Sequence, residues 1–407
     1  MLLIAVPSVA RAQSAIQVGS NTAESSFPQG ITFTLDANAG QPFDSVRLIY
    51  QVAPDGVQVT AAPRCTTGAS IHCTFVFANS LSSPLIPGAE VTYSWRMSAG
   101  GQSQDTQPQM VTYEDTRFDW QTITEGNVTI WWYSGSEGGA RAVLEAGHES
   151  LDRISALLKT QVAFPVKIYY YGSAQAMQPA IPTDNAEGVI TLGEVVYSDT
   201  AMVAADADPQ NIARHEVAHI VVRQAVRGPY ESNVPDWLNE GMAVYAQSQP
   251  LSGQQRAIDA ALRSGRVISV RSMSSATSGA LSDRVFLFYG ESWSLVKFLI
   301  ESQGEEKFAQ LFAEFKQGAT TAQALEQVYG YNQDGLENAW RASVGLPPRA
   351  APTPDGGEAT TPQPTATASS GGSGSVARRA GIVAAVIVVT VLLAAALLRG
   401  AIALGRR

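Results

Sequence analysis

Two of the four histidines in this 407-residue chain stand one helical turn apart, in His215-Glu216-Val217-Ala218-His219. On an α-helix, side chains at i and i+4 are close neighbours on one face, so the pattern suits a helix here. The flanks agree. Asp208 is a capping residue, Pro209 suits the first helical position, and Gly228 followed by Pro229 can end the helix. Two imidazoles so placed can hold one Zn²⁺ at about 2.0–2.1 Å each. Glu216 lies beside them, within reach of a water as general base. A catalytic zinc takes a third protein ligand and keeps one position open. No further His is well placed. The best candidate is Glu240, in Pro235-Asp236-Trp237-Leu238-Asn239-Glu240-Gly241-Met242-Ala243-Val244-Tyr245. Pro235 predicts the start of a second helix. Glu240 would lie along it beside the first, among apolar Leu238, Met242 and Val244, which would strengthen the charges at the site.

The rest of the chain limits what can surround such a helix. At 45% apolar and 15% charged it can build a sizeable core. A net charge of −9, with no basic stripe, argues against nucleic acid as a partner. Two cysteines, Cys65 and Cys73, are too few for a disulfide scaffold or a cysteine-rich zinc module. In an exported chain they pair; the alternative is two buried thiols.

Residues 13–115 alternate in the manner of a β-sandwich. Strand signals fall at 31–35, 46–52, 73–77 and 91–97, separated by turn residues such as Pro54-Asp55-Gly56 and Pro87-Gly88. The pattern is immunoglobulin-like, without the widely spaced cysteine pair of antibody domains. His72, inside the cysteine loop, reads as a surface residue. Residues 116–346 differ: strands at 127–133, 166–171 and 189–192, a helix over 139–160, and mostly helix beyond 208. Strands first and helices after predict an α+β fold. His148 on the 139–160 helix has a solvent-facing or capping role.

The ends suggest export and anchoring. Residues 1–12 read as a signal peptide closing on Ala10-Arg11-Ala12, although no basic segment precedes its apolar stretch. Residues 347–377, dominated by Pro, Thr, Ser and Gly, bury too little to fold and read as a linker. The uncharged run 380–398 would span roughly 28 Å as a helix, a membrane-crossing length. Residues 399–407 form a basic tail. Taken together, the folded regions are expected outside the cell, held by one C-terminal span.

At this point the sequence resembles a known family. H-E-x-x-H followed by P-x-W-L-x-E-G-x-A-x-Y looks like the gluzincin metallopeptidases, and more closely the peptidase-MA-like family. The likeness runs from about Phe118 to Trp340. It includes Phe288-Tyr289-Gly290-Glu291-Ser292-Trp293, Leu295, Val296 and Leu299, and the later Ala324, Leu325, Val328, Tyr329 and Gly330. It implies a thermolysin-like fold, peptide or protein substrates, and one zinc per chain held by His215, His219 and Glu240. Glu216 would activate the water and later protonate the leaving amine. The family carries a Tyr near Tyr289, which would steady the oxyanion; the alternative is a core tyrosine. Tyr245, five residues past Glu240, is a weaker rival. The aminopeptidase-type G-x-M-x-N motif is missing, which favours an endopeptidase.

Two other readings compete. A surface binding or adhesion protein would use the β domain, whose partner the sequence does not give, and carry an inert zinc domain; Glu216 would then be superfluous. An intramembrane metalloprotease would need the motif in an apolar span, whereas Arg214, Arg223 and Arg227 crowd this one.

Overall fold

A computed structural model describes residues 16–349 except 55, 81–82, 182–192, 198, 207, 231–233, 248 and 274–281. The proposed signal peptide, the span 380–398, the basic tail and nearly all of the linker lie outside these residues, as does the strand expected at 189–192. Among the described residues, no helix is long and apolar enough to cross a membrane. The fold is mixed α+β, with β-sheets first and helices after. It divides into two units, up to Gln224 and from Ala225 onward.

The first unit opens with two facing sheets. One has the order β1-β2-β6-β5, where β1 is Gln17–Ser26, β2 Gly30–Asn38, β5 Arg64–Cys65 and β6 Ser70–Ala78. The other runs β4-β3-β7, with β3 Phe43–Val52, β4 Val59–Ala61 and β7 Ala89–Ala99; β8 (Gln102–Asp105) and β9 (Gln109–Tyr113) both pair with β7. The inward residues of the alternating strands make one core, from Ile31, Phe33 and Leu35 on β2 to Val91, Tyr93, Trp95 and Met97 on β7. Cys65 and Cys73 face each other across the β5–β6 pair and are joined as a disulfide. His72 is exposed, as expected, and its Nδ1 lies 2.7 Å from Asp36 Oδ1.

A second sheet system follows in the same unit. Its order is β10-β11-β12-β14-β13, with β10 Gln121–Glu125, β11 Val128–Trp132, β12 Val166–Tyr171, β13 Gly193–Tyr197 and β14 Thr200–Ala204. Its inner strands β11, β12 and β14 are parallel and its edges antiparallel. Helix α1 (Glu137–Leu158) connects β11 to β12 and packs on both. Ser136 caps it, its Oγ accepting from Gly139 N–H at 3.1 Å. Its apolar stripe of Val143, Leu144, Leu151, Ile154 and Leu158 is buried. Short α2 (Ala174–Met177) precedes the H-E-x-x-H helix α3 (Pro209–Ala225). His148 on α1 is half-buried, with its Nδ1 3.2 Å from Asp152 Oδ2.

The second unit is helical: α4 (Asp236–Ala246), α5 (Ser252–Ser264), α6 (Ser282–Gln303), α7 (Glu305–Lys316), α8 (Thr321–Tyr329) and α9 (Gln333–Ser343). Helix α6 is its axis, packing against α4, α5, α7 and α9.

Candidate metal centre

The capping expected for α3 is present. Asp208 Oδ1 accepts from Asn211 N–H at 3.2 Å, and Pro209 opens the helix. The C-terminal expectation is corrected. The helix stops at Ala225, and Gly228 is not a left-handed cap; a Cβ there would strike the Lys316 carbonyl oxygen, so close backbone approach accounts for the glycine. Within α3 the His215 and His219 rings sit at 83° with centroids 4.8 Å apart. His215, Glu216 and His219 are 1%, 0% and 3% exposed. Burial pushes the His215 imidazole down to about 3, which keeps the ring neutral with a lone pair to offer.

Glu240 lies on α4, which begins after Pro235 as the sequence predicts. Its side chain is 3% exposed, and Leu238, Met242 and Val244 around it are fully buried. The next residue, Gly241, lets α4 press onto α6: a Cβ there would run into the Ser292 carbonyl. Gly290 does the same between α6 and α5, where a Cβ would lie 2.6 Å from the Gln254 carbonyl oxygen. The glycines of the W-L-N-E-G and F-Y-G-E-S-W segments thus set helix spacing.

One ligand atom each from His215, His219 and Glu240 lie within 4.8 Å of one another, and all three residues are buried. Two neutral-capable imidazoles and a carboxylate are a donor set suited to zinc. Tyr289, on α6, is 6% exposed and packs edge-on to Phe288 at 5.8 Å. Tyr245 is partly buried.

Sequence reasoning missed a second buried polar group, on the helical unit. Glu291 is fully buried, and its Oε2 accepts from Ile268 N–H at 3.0 Å. Glu337 accepts from Ser269 Oγ and Val270 N–H, both at 3.2 Å, and pairs with Arg349. Burial, with Glu337 nearby, raises the Glu291 carboxyl to about 8. The only signal for it in the sequence is its place inside F-Y-G-E-S-W.

A family model described as the Peptidase MA superfamily matches residues 146–345. The match covers both histidines, Glu216, Glu240 and the later helices, and starts further along than the expected Phe118. Among solved structures, the chain is similar to an M1 zinc metallopeptidase from Deinococcus radiodurans, at 14% identity over 81% of this chain and 92% of that one, with a TM-score of 0.37. Yeast LTA4 hydrolase in complex with bestatin is 10% identical over 80% of this chain and 66% of that one, with a TM-score of 0.32. A bromine derivative of BhCBM56 is 18% identical over 25% of this chain and 98% of that one, with a TM-score of 0.18. A comparison with curated proteins finds no match.

Proposed function

We propose that this protein is a gluzincin-type zinc metallopeptidase, an endopeptidase acting on peptides or proteins at the outer face of a membrane. The observation that carries the reading is the convergence of His215, His219 and Glu240, buried and within ligand distance, with Glu216 on the same helix. The Peptidase MA match over residues 146–345 supports it. Residues 13–115 form an immunoglobulin-like domain and residues 116–346 a thermolysin-like peptidase domain. Residues 1–12 are a signal peptide, 347–377 a linker, 380–398 the anchor and 399–407 the inner tail.

His215, His219 and Glu240 would hold the ion, which when bound supplies Lewis acidity and lowers the pKa of a coordinated water. Glu216 takes a proton as the water oxygen attacks the scissile carbonyl carbon. It then hands that proton to the leaving nitrogen as the C–N bond breaks. Tyr289 donates a hydrogen bond to the oxygen that gains charge. The buried apolar surroundings of Glu240 and His215 strengthen each of these interactions.

The test is zinc content and turnover of the full chain beside two variants. Glu240→Ala should lose its zinc. Glu216→Gln should keep one zinc per chain and lose peptide hydrolysis by about 10²–10⁴-fold. No zinc uptake by the wild type refutes the metal centre. Undiminished hydrolysis by Glu216→Gln refutes the mechanism and favours an anchored binding protein with an inert site.

A further inference from the structure

Helix α1 covers the sheet, and it also grips the motif helix. Ser150 is 1% exposed, and its Oγ donates to the Arg214 carbonyl oxygen at 2.7 Å. A serine inside a helix ordinarily returns its hydroxyl to a carbonyl one turn back. This one crosses to α3 instead. The Arg214 carbonyl and the His215 N–H belong to one planar peptide unit. The bond therefore fixes the plane from which the first histidine departs.

Two further contacts fall within the same turn of α1. Glu149 Oε2 accepts from Arg214 Nε at 3.0 Å and Nη2 at 2.9 Å. Arg214 Nη1 also donates to Asn211 Oδ1 at 3.3 Å, and Asn211 is held by the Asp208 cap. The polar chain thus runs from α1 to the start of α3. At Gly147 the two helices come close: an added Cβ would lie 3.5 Å from Val217 Cγ2, at the centre of the motif, and 2.5 Å from Ile168 Cδ1 on β12. Metal–ligand distances are held to about 0.2 Å, so the backbone that carries the ligands needs an anchor outside the motif.

We propose that Ser150 is a positioning residue for the metal centre, with the Glu149–Arg214 pair as its second anchor. The proposal rests on the zinc reading above. It assigns α1 a role in metal affinity and not only in core packing.

The experiment uses the full chain as wild type, Ser150→Ala, Ser150→Thr and Leu151→Ala. Zinc affinity is measured by competition with a chromogenic chelator, ligand geometry by the visible spectrum of the cobalt-loaded protein, and folding by thermal melting. Ser150→Ala should weaken zinc on the order of fivefold, the worth of one hydrogen bond, and shift the cobalt bands. Ser150→Thr, which keeps the hydroxyl, should stay within about twofold of wild type. Leu151→Ala removes a buried side chain from the same helix; it should melt earlier yet keep the wild-type zinc affinity and spectrum. Wild-type affinity and spectrum in Ser150→Ala overturn the proposal, as does an equal loss of zinc in Leu151→Ala. Should Ser150→Ala fail to fold, Glu149→Gln serves, since that side chain is half-exposed. About a twofold loss of zinc is then expected, and no loss overturns the proposal. A wild type that takes up no zinc fells the metallopeptidase reading and this inference together. A zinc-loaded wild type with unaltered variants fells the inference alone.

Discussion

Glu291 makes the stability of the helical unit depend on pH in a direction opposite to most carboxylates. Its folded value is raised from 4.5 to about 8, first by burial and then by the Glu337 charge, against the pull of the Ile268 N–H, Arg349 and Arg341. Its Oε1 is buried and has no hydrogen-bond partner among the described residues. A raised carboxyl prefers to stay protonated in the folded chain. The stability it allows is therefore complete below about pH 4.5 and is lost as pH climbs through about 8, above which the loss levels off. At about 1.4 kcal/mol per pH unit the full loss is roughly 5 kcal/mol. Glu291→Gln mimics the protonated acid, keeps a carbonyl oxygen for Ile268 N–H and does not titrate. Urea unfolding at about pH 5 and about pH 8 should give near-equal stabilities for wild type and variant at the lower pH. At the higher pH the variant should be more stable by several kcal/mol. Taking the difference between the two proteins cancels the other carboxylates. A difference that does not change with pH, or one that favours the wild type as pH rises, would refute the assignment of a neutral buried Glu291.

Two further substitutions probe the first unit. Lys167 is buried with its Nζ 2.8 Å from the Gly88 carbonyl oxygen, 3.0 Å from Glu90 and 3.1 Å from Asp199. Lys167→Met leaves the buried Asp199 without its cation and should cost about 3–5 kcal/mol by denaturant unfolding, with much of that returned by adding Asp199→Asn. Gly147→Ala drives a methyl group into Ile168 and should cost about 1–3 kcal/mol, read as a lowered melting temperature.

How much of this was legible depended on where the signal lay. Strands with one face in the core announced themselves by alternation: the expected 31–35, 46–52 and 91–97 all fall within β2, β3 and β7. β1 gave no such signal. Gln17–Ser26 is nearly all polar or small and mostly exposed, and backbone pairing to β2 makes it a strand. β14 failed for the opposite reason, since Thr200–Ala204 is buried on both faces and has no alternation to read. α1 was placed within two residues, because Ser136 starts it earlier than the apolar stripe does. At the site, His215, Glu216 and His219 were legible because a helical period is local in sequence. Glu240 was reached through a second helix started at Pro235, and the resemblance gives it the same role. Ser150 was illegible in principle: a serine on a helix shows nothing of a carbonyl on another helix far along the chain. Glu291 looked like any charged residue on an amphipathic helix, and its burial follows from a loop folding over it at Ile268.

The two faces of β12 bear on whether the N-terminal sandwich is a detachable module. Side chains alternate across a strand, so Lys167, Tyr169 and Tyr171 share one face and Ile168 takes the other. The first face meets the sandwich and the segment after it. Lys167 reaches the Gly88 carbonyl and Glu90, and the Tyr169 ring lies where any side chain at position 88 would have to go. Tyr171 OH donates to Asp115, which also pairs with Arg117, whose guanidinium stacks over Phe27 of the sandwich. The opposite face meets Gly147 of α1, and the next turn of α1 holds Arg214. A separately evolving binding domain needs only a linker, and its removal leaves its neighbour's surface polar. Here removal would take the Gly88 carbonyl and Glu90 away from the buried Lys167 and expose the side of the Tyr169 ring that lies against Gly88. The sandwich is therefore part of the structure that carries the motif helix. A binding role for it would have to use its outer surfaces, away from Gly88 and Glu90.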